Sequence, residues 1–254
     1  MEKPNYTNQY RNSNIEHPID ANMFPIKKQI ALFVVGWFGL HVIATLIQYL
    51  LMGANIIIGN KETYNLSILT NAIGYIALCV ILLLLSNKNL VKLTKSFKRY
   101  QSYIAGAICF LAILVFSNLY GNFLNIIGIK ATENANQESL DKVNATYHLT
   151  SIIVFGLIAP ICEELTYRVG LFSFCKRKAP WFAYLITILV FAFIHFNFDF
   201  SSVEAFTNEL LNLPYYMFAG FAFCFTYDKF GFAGSLFAHT INNVLSFTVF
   251  TKLL

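Results

Sequence analysis

Residues 160–168 have the sequence Pro-Ile-Cys-Glu-Glu-Leu-Thr-Tyr-Arg, which places two adjacent glutamates and an arginine near the end of an apolar run that begins at Leu149. The run is long enough to span a membrane. A charged side chain inside a span costs several kcal/mol, about 2.5 to 3.5 on insertion scales, and such residues usually serve a function. Glu163, Glu164 and Arg168 are therefore functional candidates, with partners expected on neighbouring helices.

The composition around this stretch is that of an integral membrane protein. Of the 254 residues, 57% are hydrophobic and 12% are charged, whereas a soluble domain carries about 25% charged residues. The net charge of +5 comes from basic residues in short segments between apolar runs, so it reflects membrane topology and we expect no nucleic-acid partner. The five cysteines form no CxxC motif and show no Cys/His ligand spacing, which argues against a disulfide framework or a zinc knuckle.

The apolar runs predict an all-α, polytopic integral membrane protein with seven transmembrane helices. Residues 1–28 are polar and are predicted to form a cytoplasmic tail, and residues 29–254 to form one transmembrane domain. The polar segment 130–148 is predicted to be an exposed loop with at most one short helix. The predicted spans cover residues 30–52, 66–85, 103–124, 149–174, 181–198, 210–227 and 230–251.

The basic residues predict the orientation of these spans. With a cytoplasmic N-terminus, 13 of the 18 Lys and Arg residues fall on the cytoplasmic side and four fall outside, as the positive-inside rule requires. The basic loop 88–99 is best explained as a topology determinant, and its Phe97 and Tyr100 allow some docking at the membrane interface.

Three polar residues on later spans, His195, His239 and Asn243, are the expected partners of the glutamates. At about 1.5 Å rise per residue, Glu163 and these three lie about 14 to 21 Å from the cytoplasmic ends of their helices, in one layer of the bilayer. His239 and Asn243 are four residues apart and share a helix face. Glu164 and Arg168 have the same spacing and are predicted to form a buried ion pair.

Pro160 adds a local irregularity to the same span. In an α-helix a proline removes one backbone donor and frees the carbonyl four residues earlier, which here is that of Gly156. Membrane helices tolerate such a defect where neighbouring groups or water satisfy the freed carbonyl. A kink less than one turn before Glu163 therefore favours a water-accessible pocket.

This set of side chains has the parts for amide hydrolysis. A carboxylate close to a histidine can hold a water molecule and take its proton. A second histidine and an asparagine amide can donate hydrogen bonds to the oxyanion that forms on the attacked carbonyl.

The same residues resemble the three motifs of the CAAX protease and bacteriocin-processing family, also called CPBP or Abi. The motifs are Glu163-Glu164-x-x-x-Arg168, Phe191-x-x-x-His195 and His239-x-x-x-Asn243, in family order, and the resemblance covers residues 150–247. It implies an intramembrane endopeptidase, for which we favour a metal-free glutamate mechanism without a cofactor. Glu163 and His195 would then activate water, His239 and Asn243 would stabilise the oxyanion, and Glu164 and Arg168 would support the site.

The resemblance also bears on substrate and location. Bacterial members are associated with bacteriocin self-immunity and with maturation of small secreted peptides, which favours a hydrophobic peptide or membrane-protein segment as the substrate. The bias toward Ile, Asn, Lys and Phe suggests a low-GC bacterium, and hence its cytoplasmic membrane.

Other interpretations remain open at this point. Zinc could be bound by Glu163, His195 and His239, although no HExxH motif is present. The glutamates could hold helices together in a non-catalytic immunity or scaffold protein that binds a peptide or a sensor partner. A transporter is less well supported, because the two halves of the chain show no inverted repeat.

Overall fold

The structure, a computed structural model, describes residues 20–54, 63–132, 134–198 and 202–248, and in these ranges the chain forms helices and short connections without any strand. This confirms the predicted all-α, polytopic fold. The helices are α1 (Ile26–Ala54), α2 (Thr63–Ser86), the short α3 (Leu90–Thr94) between the 3₁₀ turns Asn87–Asn89 and Lys95–Lys98, α4 (Tyr100–Ile126), α5 (Ala135–Thr146), α6 (His148–Lys176), α7 (Pro180–Phe193), α8 (Val203–Phe230) and α9 (Phe232–Thr248).

Each predicted span falls on one of these helices, but not every helix is long and apolar enough to cross a membrane. By length and composition, α1, α2, α4 and α6 are long and apolar enough. The fifth predicted span corresponds to the shorter apolar helix α7, the sixth lies within α8, and the described part of the seventh is α9. The total of seven crossings and the cytoplasmic N-terminus stay predictions.

Helix α7 ends at Phe193, five residues before the predicted end of the fifth span at 198. Beyond Phe193, two backbone groups hydrogen-bond to side chains and not to the backbone of a further helical turn. The carbonyl of His195 accepts a hydrogen bond from Asn134 Nδ2 at 2.9 Å, and the amide of Asn197 donates to Glu209 Oε2 at 3.0 Å. Hydrophobicity alone therefore overestimated the length of this helix.

Helix α6 is the central element of the bundle. More than half of its most apolar window, 56%, is buried inside the protein, against 6% for α1. It packs against α1, α2, α7 and α9. Two stretches of α6, Ser151–Ile158 and Glu164–Phe172, are wound as π-helix on either side of the α-helical segment Ala159–Glu163, and π-helical turns are frequent at functional sites.

The segment 130–148 forms the helix α5, which docks on the bundle. Asn134 caps its first turn by accepting a hydrogen bond from the Gln137 amide at 2.9 Å. Near its other end, the buried Asn144 donates from Nδ2 to the carbonyl of Phe247 at 3.0 Å and bonds His148 through Oδ1. The predicted loop thus contains a helix fixed to α9, and it covers the ends of the neighbouring spans.

Residues 1–19 of the predicted N-terminal tail lie outside the described residues. The part from Asp20 onward packs against the bundle, since Phe24 is 1% exposed and α1 already begins at Ile26. The Arg177 guanidinium donates hydrogen bonds to Asn22 Oδ1 and to the carbonyl of Phe24, both at 2.7 Å.

The basic residues of the described ranges gather at one end of the bundle, the end where α2 connects to α4 and α6 to α7. The opposite helix ends carry only Lys130 and Lys142 among the described Lys and Arg residues. This asymmetry has the form that the positive-inside rule gives to a cytoplasmic face. The gathered cations are Lys27, Lys28, Lys88, Lys92, Lys95, Lys98, Arg99, Lys176, Arg177, Lys178 and Lys229.

Helix α4 offers a matched pair of glycines that tests the packing. A Cβ atom at Gly106 would lie 2.7 Å from the carbonyl oxygen of Gly234 on α9, whereas a Cβ at Gly121 would meet nothing within 4 Å. We expect Gly106→Ala to lower the free energy of unfolding by about 1 to 3 kcal/mol, because the two helix backbones must separate. Gly121→Ala should leave it unchanged or raise it by up to about 1 kcal/mol, because alanine is the better helix former.

Thermal unfolding in detergent measures the stability of both variants against that of the wild type. Equal midpoints for Gly106→Ala and Gly121→Ala would contradict the close packing of α4 against α9.

Candidate active site

A buried cluster of charged side chains joins α6 to α9. Glu164 and Arg168 are both 0% exposed, and Arg168 Nε lies 3.4 Å from Glu164 Oε2. The other carboxylate oxygen, Glu164 Oε1, lies 2.9 Å from His239 Nδ1. The ion pair predicted from the four-residue spacing is therefore present, and it extends to a histidine on another helix.

Aromatic rings surround the guanidinium of Arg168. Its central carbon lies 4.5 Å from the ring centre of Phe191 and 5.3 Å from that of Phe223. Cation–π contacts of this kind are worth about 2 kcal/mol or more when the cation is desolvated. The Phe191 ring also contacts His195 and His239, with ring centres 4.8 Å and 5.9 Å apart. Phe191 thus fixes the arginine and both histidines relative to one another.

Glu163 differs from its neighbour Glu164 in exposure and in bonding. Its side chain is 17% exposed, and its Oε2 lies 3.6 Å from His239 Nε2, which is beyond hydrogen-bonding distance. Among the described residues this oxygen has no hydrogen-bond partner. Of the two adjacent carboxylates, Glu164 is thus fully buried between two partners, whereas Glu163 is partly exposed and makes only a longer contact to His239.

The two ring nitrogens of His239 face the two glutamates. Because Glu164 is paired with Arg168 and its carboxylate only accepts hydrogen bonds, Nδ1 of His239 donates to it. In the neutral ring Nε2 then carries a lone pair. In the protonated ring Nε2 is a donor as well. His239 can therefore stabilise an oxyanion in its imidazolium form, with a carboxylate on each side.

The orientation of His195 is set by its contacts at the end of α7. Nδ1 lies 2.8 Å from the carbonyl of Phe191, and since a carbonyl only accepts, Nδ1 carries the proton and Nε2 of the neutral ring is left as an acceptor. The ring stacks on Tyr216 at 4.5 Å between centres and an angle of 12°. Glu163 and His239 both lie within electrostatic range of this imidazole.

Two residues that sequence reasoning missed hold His195 from α5 and α8. Asn134 Nδ2 binds the carbonyl of His195, and Tyr216, whose ring stacks on the imidazole, donates its hydroxyl hydrogen to Asn134 Oδ1 at 3.1 Å. A partial signal was present, because Asn134 and Gln137 have the spacing of a capping box and so mark a helix start. Nothing in the sequence places that helix beside α7.

Asn243 binds the backbone of α6. Its Nδ2 donates to the carbonyl of Phe155 at 3.1 Å. The sequence predicted that Pro160 frees the carbonyl of Gly156, which assumes α-helical bonding. Because this part of α6 is π-helical, the bond runs from residue i+5 to residue i, and the missing N–H of Pro160 leaves the carbonyl of Phe155 without its donor. The predicted defect exists one residue earlier, and Asn243 satisfies it.

The structure thus brings Glu163, Glu164, Arg168 and His239 into direct contact, and links His195 to them through Phe191. Asn243 lies on the same face of α9 as His239, bound to α6. These positions agree with the predicted convergence, while the catalytic roles of the residues stay predictions.

The alternative zinc site needs Glu163, His195 and His239 as ligands. In the part of the chain that the structure describes, no three His, Cys, Asp or Glu side chains are grouped so as to hold a metal ion. Nδ1 of each histidine is already bound, to Phe191 or to Glu164, so each ring could offer only Nε2. The zinc alternative stays a prediction, with Nε2 of each ring as the nitrogen that would bind the metal.

The bond between Asn243 and Phe155 gives a prediction that can be tested by a double-mutant cycle. Asn243→Ala should lower the free energy of unfolding by about 1 to 3 kcal/mol, because it leaves a buried carbonyl unsatisfied. In a Pro160→Ala background residue 160 regains its N–H, so the same substitution should cost less. Chemical denaturation of the four proteins in detergent gives the coupling energy, and strict additivity would contradict this explanation.

Comparison with known proteins finds a family match over the part of the chain that carries these residues. Residues 145–245 match the family model described as Rce1-like, type II CAAX prenyl endopeptidase. The chain is 34% identical over 88 residues to the UPF0177 protein YvdC of Lactococcus lactis, covering 35% of this chain and 33% of that protein. It is 25% identical over 198 residues to an uncharacterized protein of Mycoplasma capricolum, covering 73% and 55%.

A second Lactococcus lactis protein, the UPF0177 protein YbdI, is 31% identical over 86 residues, with 34% of this chain and 45% of that protein covered. The matches thus span between a third and just over half of the length of these relatives. No solved structure matches. The family match covers the glutamates, the arginine, both histidines and Asn243, so the predicted resemblance is confirmed: residues 145–245 match the model of the Rce1-like family of type II CAAX prenyl endopeptidases.

Proposed function

We propose that this protein is an intramembrane endopeptidase that hydrolyses a peptide bond in a hydrophobic peptide or membrane-protein segment, with water activated by Glu163 and His195. The observation that carries the proposal is the contrast between the two adjacent glutamates. Glu164 is fully buried, with Oε1 2.9 Å from His239 Nδ1 and Oε2 3.4 Å from Arg168 Nε, whereas the Glu163 side chain is 17% exposed and its Oε2 makes only a 3.6 Å contact with His239 Nε2.

In the proposed first step a water molecule lies between Glu163 and His195. Nε2 of the neutral His195 ring accepts one hydrogen bond from the water, because the proton of this ring is on Nδ1. Glu163 takes the other proton as the water oxygen attacks the carbonyl carbon of the substrate. The carbon becomes tetrahedral, and negative charge develops on the former carbonyl oxygen.

In the second step the oxyanion is stabilised and the amine leaves. His239 in its imidazolium form donates from Nε2, and Asn243 donates with the amide hydrogen that does not bind Phe155. Preorganised donors of this kind contribute about 2.7 to 4 kcal/mol each to transition-state stabilisation. Glu163 then returns its proton to the nitrogen of the breaking C–N bond, so the carboxylate is regenerated.

Substrate and location are parts of the same proposal. Both glutamates lie on α6, one of the helices that are long and apolar enough to cross a membrane, which suits a substrate that is itself membrane-embedded or hydrophobic. The relatives come from bacteria, so we place the protein in the bacterial cytoplasmic membrane. Processing of bacteriocin-like peptides, or immunity to them, is the role we favour. A non-catalytic immunity or scaffold protein is the alternative, and it predicts that the glutamate and histidine can be replaced without loss of function.

The deciding experiment measures cleavage of a quenched hydrophobic peptide by the purified full-length chain in detergent. Glu163→Gln and His195→Ala should each lower kcat/KM at least about 100-fold, because each removes a group that activates water. Glu138→Gln is the matched control. It removes a carboxylate that is 59% exposed on α5 and pairs with Lys142, and it should cleave like the wild type.

Two further arms separate the mechanisms. Activity that is unaffected by a chelator supports the metal-free route, whereas loss on chelation with recovery on added zinc would replace it by a metal-dependent one. Thermal unfolding of each variant must match the wild type. Wild-type cleavage rates in both Glu163→Gln and His195→Ala would overturn the protease proposal in favour of a binding protein.

A further inference from the structure

A small cavity with basic walls lies at the cation-rich end of the bundle, away from the glutamates. It has a volume of about 100 Å³ and lies between the segment that connects α2 to α4 and the turn between α8 and α9. Four cationic side chains line it: Lys92, Lys95, Arg99 and Lys229. The proposed peptidase chemistry gives this cavity no role.

The walls of the cavity are held by bonds between distant parts of the chain. A guanidinium nitrogen of Arg99 donates to the carbonyl of Phe230 at 2.8 Å, and Lys92 Nζ donates to the carbonyl of Met23 at 2.8 Å. Ser96 Oγ accepts a hydrogen bond from the Ala233 amide at 3.0 Å. The cations are thus brought together by the fold and are not simply neighbours along one flexible loop.

An acidic residue beside these cations is already shared. Asp228 is buried, pairs with Lys229 at 3.1 Å and also with Lys176, and accepts a hydrogen bond from the Tyr184 hydroxyl at 3.2 Å. The described residues that line the cavity include four cations and no acidic side chain, so its lining carries excess positive charge. A bound anion would lower the repulsion among its walls.

The segment that carries Lys92 and Lys95 also exposes apolar side chains. Val91 is 65% exposed, Phe97 40% and Tyr100 68%. Alternation of lysines with exposed apolar and aromatic residues in a short helical segment is typical of a surface that lies in the membrane interface. We therefore expect the basic cavity to open at the level of the lipid head groups, in a segment that the sequence analysis explained mainly by topology, with some interfacial docking of Phe97 and Tyr100.

We propose that this cavity binds the phosphate group of an anionic phospholipid from the leaflet at this end of the bundle. Lysine ammonium and arginine guanidinium groups form strong, charge-assisted hydrogen bonds to phosphate oxygens. A cavity of about 100 Å³ is large enough for a phosphate group with its acyl chains left outside. The adjoining Val91, Phe97 and Tyr100 then contact the acyl and glycerol part of the same lipid.

The test titrates the purified full-length protein in detergent with phosphatidylglycerol or phosphatidylcholine and counts bound lipids by native mass spectrometry. Lys95→Gln should weaken phosphatidylglycerol binding about five-fold, which corresponds to about 1 kcal/mol for one lysine at an anionic membrane surface. The matched control is Lys98→Gln. It removes the same charge from the same segment at a residue that does not line the cavity, and it should change binding less than two-fold.

The remaining outcomes also decide the question. Equal weakening by both substitutions, or no weakening by Lys95→Gln, would overturn the site in favour of general attraction to the basic face. Inorganic phosphate that displaces the lipid at equal concentration would mean that a soluble anion, and not a lipid, is the ligand. Because no peptide is cleaved in this assay, its result is independent of the outcome for the proposed protease.

Discussion

The arrangement of the site depends on one buried cation, the guanidinium of Arg168. Taking this charge out of water is tolerable only because Glu164 lies against its Nε and the rings of Phe191 and Phe223 lie against its face. Each of these partners has a second contact, Glu164 with His239 and Phe191 with His195. Removing one partner of such a buried pair lowers the stability of a protein by about 3 to 5 kcal/mol. Through Glu164 and Phe191, the cation therefore positions both histidines.

The same arrangement explains how two neighbouring glutamates can differ in chemistry. Adjacent residues on a helix point in different directions, so Glu164 turns into the core and Glu163 toward the open side of the site. The buried one pairs with the arginine and fixes the tautomer of His239. The other is partly exposed and makes only a 3.6 Å contact with His239 Nε2. A single glutamate could not both neutralise Arg168 and remain available to a water molecule.

The polar site residues could be found from the sequence because a charge in an apolar run is costly and therefore conspicuous. Their convergence followed from helix rise, and the Glu164–Arg168 pair from helix periodicity. The winding of α6 could not be found in this way, since hydrophobicity hardly distinguishes π from α turns. This is why the freed carbonyl was assigned to Gly156 and not to Phe155. The docking of α5 was missed because Asn134 and Asn144 act through single hydrogen bonds to distant backbone carbonyls.

The shortness of α7 has a consequence for the surrounding lipid. Its 14 residues extend about 21 Å, whereas the hydrocarbon core of a bilayer is about 30 Å thick, and a helix that is too short usually thins the membrane around it. Here the start of α5 covers the end of α7, because Asn134 binds the carbonyl of His195. If α7 crosses the membrane as predicted, this contact absorbs the hydrophobic mismatch inside the protein. We then expect the depth of His195 to be set by protein contacts and not by acyl-chain length.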